Sequence, residues 1–261
     1  MRFMGIVGRL AFAAFLISLL VGLAAVFGMH LHVWGYQFGL YGIFPYCLYA
    51  GAAGLALGAL WGVAALILNA ETASTFGVIG LIGSLIIIAP PLYTLYMVKI
   101  AHAIPPIHDI STDTEHAPPF VALLRDRTGA TNPAGYDGPK LVKTDDGRFH
   151  TTSSLQKKFY SDIRPIGELT KPALLYRRAL VAARAMGWNI VAAESTQDGG
   201  RIEATDTSFF FGLTDDIVIR VKASGIGARL DIRSKSRVGT TDLGANAAHI
   251  SAYVKKLTNT N

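Results

Sequence analysis

Three stretches of the chain, at about 7–28, 43–69 and 76–98, are apolar almost without interruption; beyond them apolar residues recur only at helical or alternating spacing. A helix crosses a bilayer core with roughly 20 mostly apolar residues, because its backbone polar groups must be satisfied within the segment. Residues 1–98 therefore read as a membrane domain of three transmembrane helices. The first span follows Arg2 and Arg9 and lacks a small-x-small cleavage site before Gly28, Met29 and His30, so it reads as a retained anchor. Basic residues ahead of the first span favour a cytoplasmic N-terminus, and three crossings then put the remainder outside. The loop Asn69–Thr75 offers no Lys or Arg, and Lys99 stands on the predicted outer side. Pro90-Pro91 should kink the third span. Gly54, Gly58 and Gly62 recur every four residues and form a stripe along which another helix approaches closely, either within the bundle or in a dimer.

From residue 99 the pattern changes. Residues 99–168 are rich in proline and glycine, without a sustained apolar period, and read as an extended lead segment. From 169 to 261 the pattern is regular. Thr170 and Pro172 start a helix whose apolar stripe is Leu175, Ala179, Ala182 and Met186, ended by Gly187. Strand-like segments follow near 188–195, 200–210, 215–223 and 227–234. In the last two, Ile217, Ile219 and Val221 alternate with Asp216, Val218, Arg220 and Lys222, and Leu230 and Ile232 with Arg229, Asp231 and Arg233, so one face is apolar and the other charged. A final helix, capped by Asp242, carries a stripe of Leu243, Ala247, Ile250, Val254 and Leu257. The expected fold is α+β: three N-terminal transmembrane helices, then a two-layer domain of a four-stranded antiparallel sheet and two packed helices.

Composition sharpens this division. The first 98 residues hold only Arg2, Arg9 and Glu71 as charged side chains, whereas 99–261 carry 22 Lys and Arg against 17 Asp and Glu. That net charge of about +5 favours anionic surfaces, but the signs are too mixed for a nucleic-acid-binding tail. The single cysteine, Cys47, rules out an intramolecular disulfide. None of the spans carries a buried charge, Arg9 standing at the outset of the first, which disfavours transport.

Candidate chemistry is sparse. His30 and His32, two residues apart in an aromatic-rich segment, fit interfacial side chains better than metal ligands. Asp109, Ser111, Asp113 and Glu115 alternate like the start of a calcium loop, but Thr114 and Phe120 stand where that loop requires Gly and Glu. Local turns suit this run better, and metal binding there stays open. Gly225-Ile-Gly227 lacks the third glycine of a dinucleotide loop, so no cofactor is expected. Asp215, Asp216, Ser234, Ser236 and His249 offer carboxylates, nucleophiles and a base, without a nucleophile elbow or an HExxH pattern.

The run from Gly187-Trp188 through Asp215-Asp216-Ile-Val-Ile-Arg220 to Arg233-Ser-Lys-Ser236-Arg237-Val-Gly239-Thr-Thr-Asp242-Leu-Gly244-Ala-Asn246 resembles the domain-of-unknown-function family 1499. The resemblance implies a bacterial envelope or plastid protein, in some members with membrane spans before the domain, and brings no activity, substrate or cofactor. The residues themselves suggest an anion site: Arg220, Arg233, Ser234, Ser236, Arg237, Asp242 and Asn246 place guanidinium groups, hydroxyls and a helix start together. Their alternative role is to tie down the turn by pairing with Asp215, Asp216 or Asp242.

The function expected from sequence is that of an inner-membrane protein with a periplasmic domain that binds an anionic lipid, an envelope polymer or an envelope protein. The alternative is a membrane-bound, hydrolase-like enzyme using the same Asp, Arg and Ser residues.

Overall fold

A computed structural model describes residues 2–67, 75–100, 104–144, 146–209 and 211–259. Positions 69–74 of the loop expected at Asn69–Thr75, and 101–103 of the lead segment, lie outside the described residues. The chain divides into two compact units, Met1–Lys99 with Phe209–Gly212, and Ile100–Ser208 with Leu213–Asn261.

The first unit holds α1 (Arg2–His30), a π-helical turn (Phe38–Ile43), α2 (Phe44–Ile67) and α3 (Thr75–Ile100). Two apolar helices, Gly5–His30 and Phe38–Ile67, are long and apolar enough to cross a membrane; in α3 the apolar stretch is the shorter Thr75–Ala89. The expectation of three spans is thus met by two among the described residues. Small residues set the packing. A Cβ at Gly58 would stand 2.9 Å from Leu81 Cα, and one at Gly54 would meet Ser84 Oγ and lie 3.3 Å from Phe15 N, whereas Gly62 faces open space. Ser18 Oγ, buried in α1, donates to the Cys47 carbonyl at 2.7 Å, which satisfies its hydroxyl inside the helix contact. In the same unit the Phe211 ring stands edge-on to Phe44 at 5.5 Å, and His30 Nε2 lies 2.9 Å from the Phe209 carbonyl oxygen.

The second unit is built on a six-stranded antiparallel sheet, not the four strands expected. Strands β5 (Asn189–Thr196), β6 (Gly199–Thr207), β7 (Thr214–Ser224) and β8 (Gly227–Ser236) form the anticipated meander. Two three-residue strands from the lead segment, β1 (Asp109–Ser111) and β4 (Ile166–Glu168), both pair with the outer side of β8. Strands that short have no readable alternation, and their pairing is set by β8. The exposed edge of β1 is closed by Gln156, whose amide accepts from Ser111 N at 3.0 Å and donates to Ser111 O at 2.6 Å. Gln156 is held there by α4 (Thr152–Phe159), which follows a small hairpin of β2 (Leu141–Lys143) and β3 (Phe149–Thr151).

One face of the sheet presents Ile202, Ala204, Ile217, Ile219, Val221, Leu230 and Ile232 to α5 (Pro172–Ala185) and α6 (Ala245–Thr258). The helices meet it with Leu175, Ala179, Ala182, Ala247, Ile250, Tyr253 and Leu257; Tyr253 takes the central place expected of Val254, which with Met186 is only partly buried. Leu243 is left out because its backbone turns left-handed (φ 53°), which points it partly to solvent. The caps differ too. Lys171, not Thr170, precedes Pro172, and Gly244 in the left-handed region starts α6, with Asp242 accepting the N–H of Gly244 at 2.8 Å and of Asn246 at 3.1 Å.

Candidate functional site

Adjacent residues of a strand point to opposite faces, and this divides the candidate anion-binding residues into separate places. Arg220 and Arg233 lie on the sheet face away from α5 and α6, Ser234 and Ser236 on the helix side, and Arg237 beyond the end of β8.

The face away from the helices was expected to be charged. It is charged and covered. The lead segment crosses it, with Phe120 and Leu123 packed on Val218 beside Ala134. Beneath it Arg233, 1% exposed, donates through Nε to Asp109 Oδ1 at 2.8 Å and through Nη2 to Asp109 Oδ2 at 2.9 Å. Its remaining donors reach the carbonyls of Pro118, Ala134 and Gly135, and its guanidinium stacks 4.7 Å from the Phe120 ring centroid. Lys235, fully buried, pairs with Asp109 at 3.3 Å and Asp137 at 2.9 Å. Burial alone would raise the Asp137 carboxyl, but hydrogen bonds from His108 and Lys235 prevail and hold it well below the usual carboxylate range. A second cluster closes on Asp216, which accepts from Arg127 Nη1 at 2.6 Å and from Arg237 Nη2 at 2.8 Å. Burial lowers Arg127, countered by Asp216. Arg233 and Arg237 are therefore both fastened to carboxylates of the chain: Arg237 to Asp216, a partner the alternative reading named, and Arg233 to Asp109, which it did not.

On the helix side a polar cluster joins β8 to α6. Ser234 Oγ donates to Asn246 Oδ1 at 2.5 Å, and Asn246 Nδ2 donates to Ser236 Oγ at 2.9 Å and Asp242 Oδ2 at 2.7 Å. His249 stands beside them, its Nε2 3.1 Å from Asp206 and its Nδ1 3.7 Å from Asp215. Burial raises both Asp215 and Asp242, Asp215 in spite of the Ser236 hydrogen bond and Asp242 in spite of the N–H groups it caps. Ser234, His249 and Asp206 stand in the order of a nucleophile, base and orienting acid. The serine is fully buried, however, and its oxygen is 3.5 Å from His249 Nδ1, farther than from the Asn246 oxygen that takes its proton.

A cleft of about 370 Å³ opens at the far end of the charged face, between the Thr112–His116 segment and the stretch from Ser161 to Pro165. Asp113 forms one lip. It accepts the N–H groups of Glu115 and His116 at 3.1 and 2.8 Å, the Asx-type turn anticipated for this run, and the Arg229 guanidinium at 2.6 Å. Burial acts to raise Asp113, but those N–H groups, then Arg229 and Arg220, hold it below its ordinary value. Arg220 and Arg229 are shared between Asp113 and the buried Asp231. Arg164 lines the same cleft, exposed, with no ion pair or hydrogen bond to the described residues. Lys157 stands beside it in the lining, largely exposed and 3.9 Å from Glu115. Among the described residues no group of three or more His, Cys, Asp and Glu is arranged to hold a metal ion.

The sheet register, the string from Arg233 to Asn246 and the docked lead segment form one fold unit, and the family model described as "Protein of unknown function (DUF1499)" matches residues 109–257. The chain belongs to the DUF1499 family. The match begins at Asp109, so the family's unit includes the lead segment that carries β1 and the cleft lip. No curated protein matches the chain.

The sequence reading missed Asp137, Arg127, Lys157 and Arg164, and took Asp109 as a loop oxygen rather than as the partner of Arg233. Phe120, Leu123 and Tyr136, scattered among the prolines, were the available signal: a solvated linker has little use for large apolar side chains.

Proposed function

We propose that this DUF1499 protein is a membrane-anchored envelope protein whose α+β domain binds an anionic group, a phosphate or a carboxylate, in the cleft bordered by Asp113, Lys157, Arg164 and Arg229. One observation carries the reading: Arg164 lines a concave polar site with its charge unmatched, while Arg233, Arg237 and Arg127 are all taken by Asp109 and Asp216. An unpaired guanidinium beside an ammonium is suited to bidentate capture of such a group.

The anchor is formed by the apolar helices, and α3 is part of it. Its 26 residues extend about 39 Å at 1.5 Å per residue, long enough to cross. With Arg2 and Arg9 inside, the domain then faces the periplasm from the inner membrane. A phosphatase reporter fused after Asn261 is active in that arrangement; activity only of a cytoplasm-dependent reporter reverses it.

Binding is tested on the full chain in nanodiscs of zwitterionic lipid, titrated with inorganic phosphate, short-chain phosphatidylglycerol and polyglutamate. At least one probe should bind with strong salt dependence, and Arg164→Ala should weaken it about tenfold, the equivalent of about 1.4 kcal/mol. Equal affinity in wild type and in the Arg164→Ala, Lys157→Ala double variant removes the proposal.

The hydrolase reading keeps one observation, the juxtaposition of Ser234, His249 and Asp206. Covalent labelling of Ser234 by a fluorophosphonate would establish it, and an unlabelled serine leaves binding as the function.

A further inference from the structure

The hairpin between β6 and β7 turns through Ser208-Phe-Phe-Phe-Gly-Leu213, three consecutive phenylalanines at the end of two strands that are otherwise polar there, with Asp206, Thr207, Thr214 and Asp215. Phe209 is 86% exposed. Among the described residues, the apolar core lies along the strands, on the α5 and α6 side, and includes none of the tip. The turn itself is fixed by polar bonds, Leu213 N donating to Ser208 Oγ at 3.0 Å and Ser208 N to the Leu213 carbonyl at 2.8 Å, with Gly212 in the left-handed region. An aromatic tip is therefore presented by a polar, hydrogen-bonded stem.

Phe209–Gly212 belong to the compact unit of the apolar helices. Their neighbours there are His30, where α1 ends, and Phe44, where α2 begins. Between these two residues lies the aromatic stretch with Trp34, Tyr36, Phe38 and Tyr41, of which Phe38 and Tyr41 are largely exposed. Aromatic side chains at the ends of membrane helices gather at the headgroup level, where a ring can be buried and a polar edge kept wet.

We propose that the Phe209–Gly212 tip is a membrane-surface contact, with Phe209 and Phe211 seated in the lipid–water boundary at the level of the Trp34–Tyr41 aromatic stretch. The occupant of this apolar patch is lipid, which needs no complementary pocket. The inference rests on the proposed membrane anchoring and adds a second, non-helical contact to it.

Site-directed spin labelling of the full chain in vesicles tests both readings separately. With Cys47→Ala as background, single cysteines are placed at Phe209, at Ile226 in the turn at the other end of the sheet (94% exposed), and at Leu20 in α1. Collision rates are then measured with oxygen, which concentrates in lipid, and with a water-soluble nickel chelate. The tip proposal expects oxygen to dominate at 209 and at 20, and nickel to dominate at 226. Nickel access at 209 equal to that at 226, with position 20 in lipid, overturns the tip contact and leaves the anchor standing. Shielding from both reagents at 209 also overturns it, in favour of protein covering the tip. Nickel access at 20 removes the anchor and this inference with it. Should Phe209→Cys fail to fold by circular dichroism, Ser208→Cys reports on the same turn with the same expectations.

Discussion

Replacing Asp109 by asparagine keeps the size of the side chain and removes one negative charge from the most deeply buried ionic cluster in the domain. The cluster contains Asp109 and Asp137 against Arg233 and Lys235, with His108 hydrogen-bonded to Asp137 at 3.0 Å. After the change a single carboxylate faces two buried cations. Asp109 now accepts four contacts, from Arg233 Nε and Nη2, Lys235 Nζ and the Asp137 N–H, and an amide oxygen can serve some of them but cannot balance the charge. Removing one partner of a buried ion pair costs about 3–5 kcal/mol, because the remaining charge stays desolvated and unpaired. Against a typical total of about 5–15 kcal/mol, that is a large share of the stability of the fold. For a domain of this size it corresponds to a fall in Tm of about 6–20 °C.

The assay is thermal unfolding of the full chain in detergent, followed by near-ultraviolet circular dichroism, which reports on the buried Trp188 stacked on Tyr253. A second variant discriminates cause. Asp109→Leu combined with Arg233→Met leaves Asp137 and Lys235, one charge of each sign, and should lose less than Asp109→Asn although it removes more hydrogen bonds. A loss below about 1 kcal/mol for Asp109→Asn, or a double variant that is worse than the single, would refute the claim that charge balance holds the lead segment down.

Acid should destabilise the domain through Asp137: its folded-state pKa is depressed, so its contribution is complete above the unfolded value near 3.8 and is lost as pH falls through the lower folded value. Asp137→Asn should therefore flatten the stability curve below about pH 4, and an unchanged slope there would remove that assignment. In the unit of apolar helices Gly58→Leu should cost about 1–3 kcal/mol, since its Cβ would press on the Leu81 backbone, whereas Gly62→Leu, facing open space, should be tolerated. Equal detergent melting temperatures for the two variants would count against close packing at Gly58.

The meander was legible in the sequence to within three residues at each strand end, because alternation of Ile217, Ile219 and Val221 with the charged Asp216, Arg220 and Lys222 reads as a strand with one apolar face. Alternation says which face is charged, not what covers it. Arg233 looked like a surface residue because its partner Asp109 lies 124 positions away, in a stretch whose prolines conceal two three-residue strands. The candidate site was misjudged for the same reason. Arg233 and Ser234 are neighbours in sequence but stand on opposite faces of β8, so the string that identifies the family does not converge on one place. Arg164 and Lys157, which do line a cleft, sit in segments with no periodic signal at all.

Buried ion pairs are a weak source of stability, since desolvation offsets most of their attraction, yet here they occupy most of one sheet face. Their geometry suggests what they accomplish. The ladder of Asp216, Lys235, Arg233 and Arg220 is met by Arg127, Asp109, Asp137 and Asp113 of the lead segment. An apolar face would hold any apolar segment in several registers, whereas opposite charges at fixed spacing permit one. The last rung of that ladder is Asp113, shared by Arg220 and Arg229, and Asp113 is also the lip of the cleft. The same charges that look redundant as a binding surface therefore set the position of the segment that makes one.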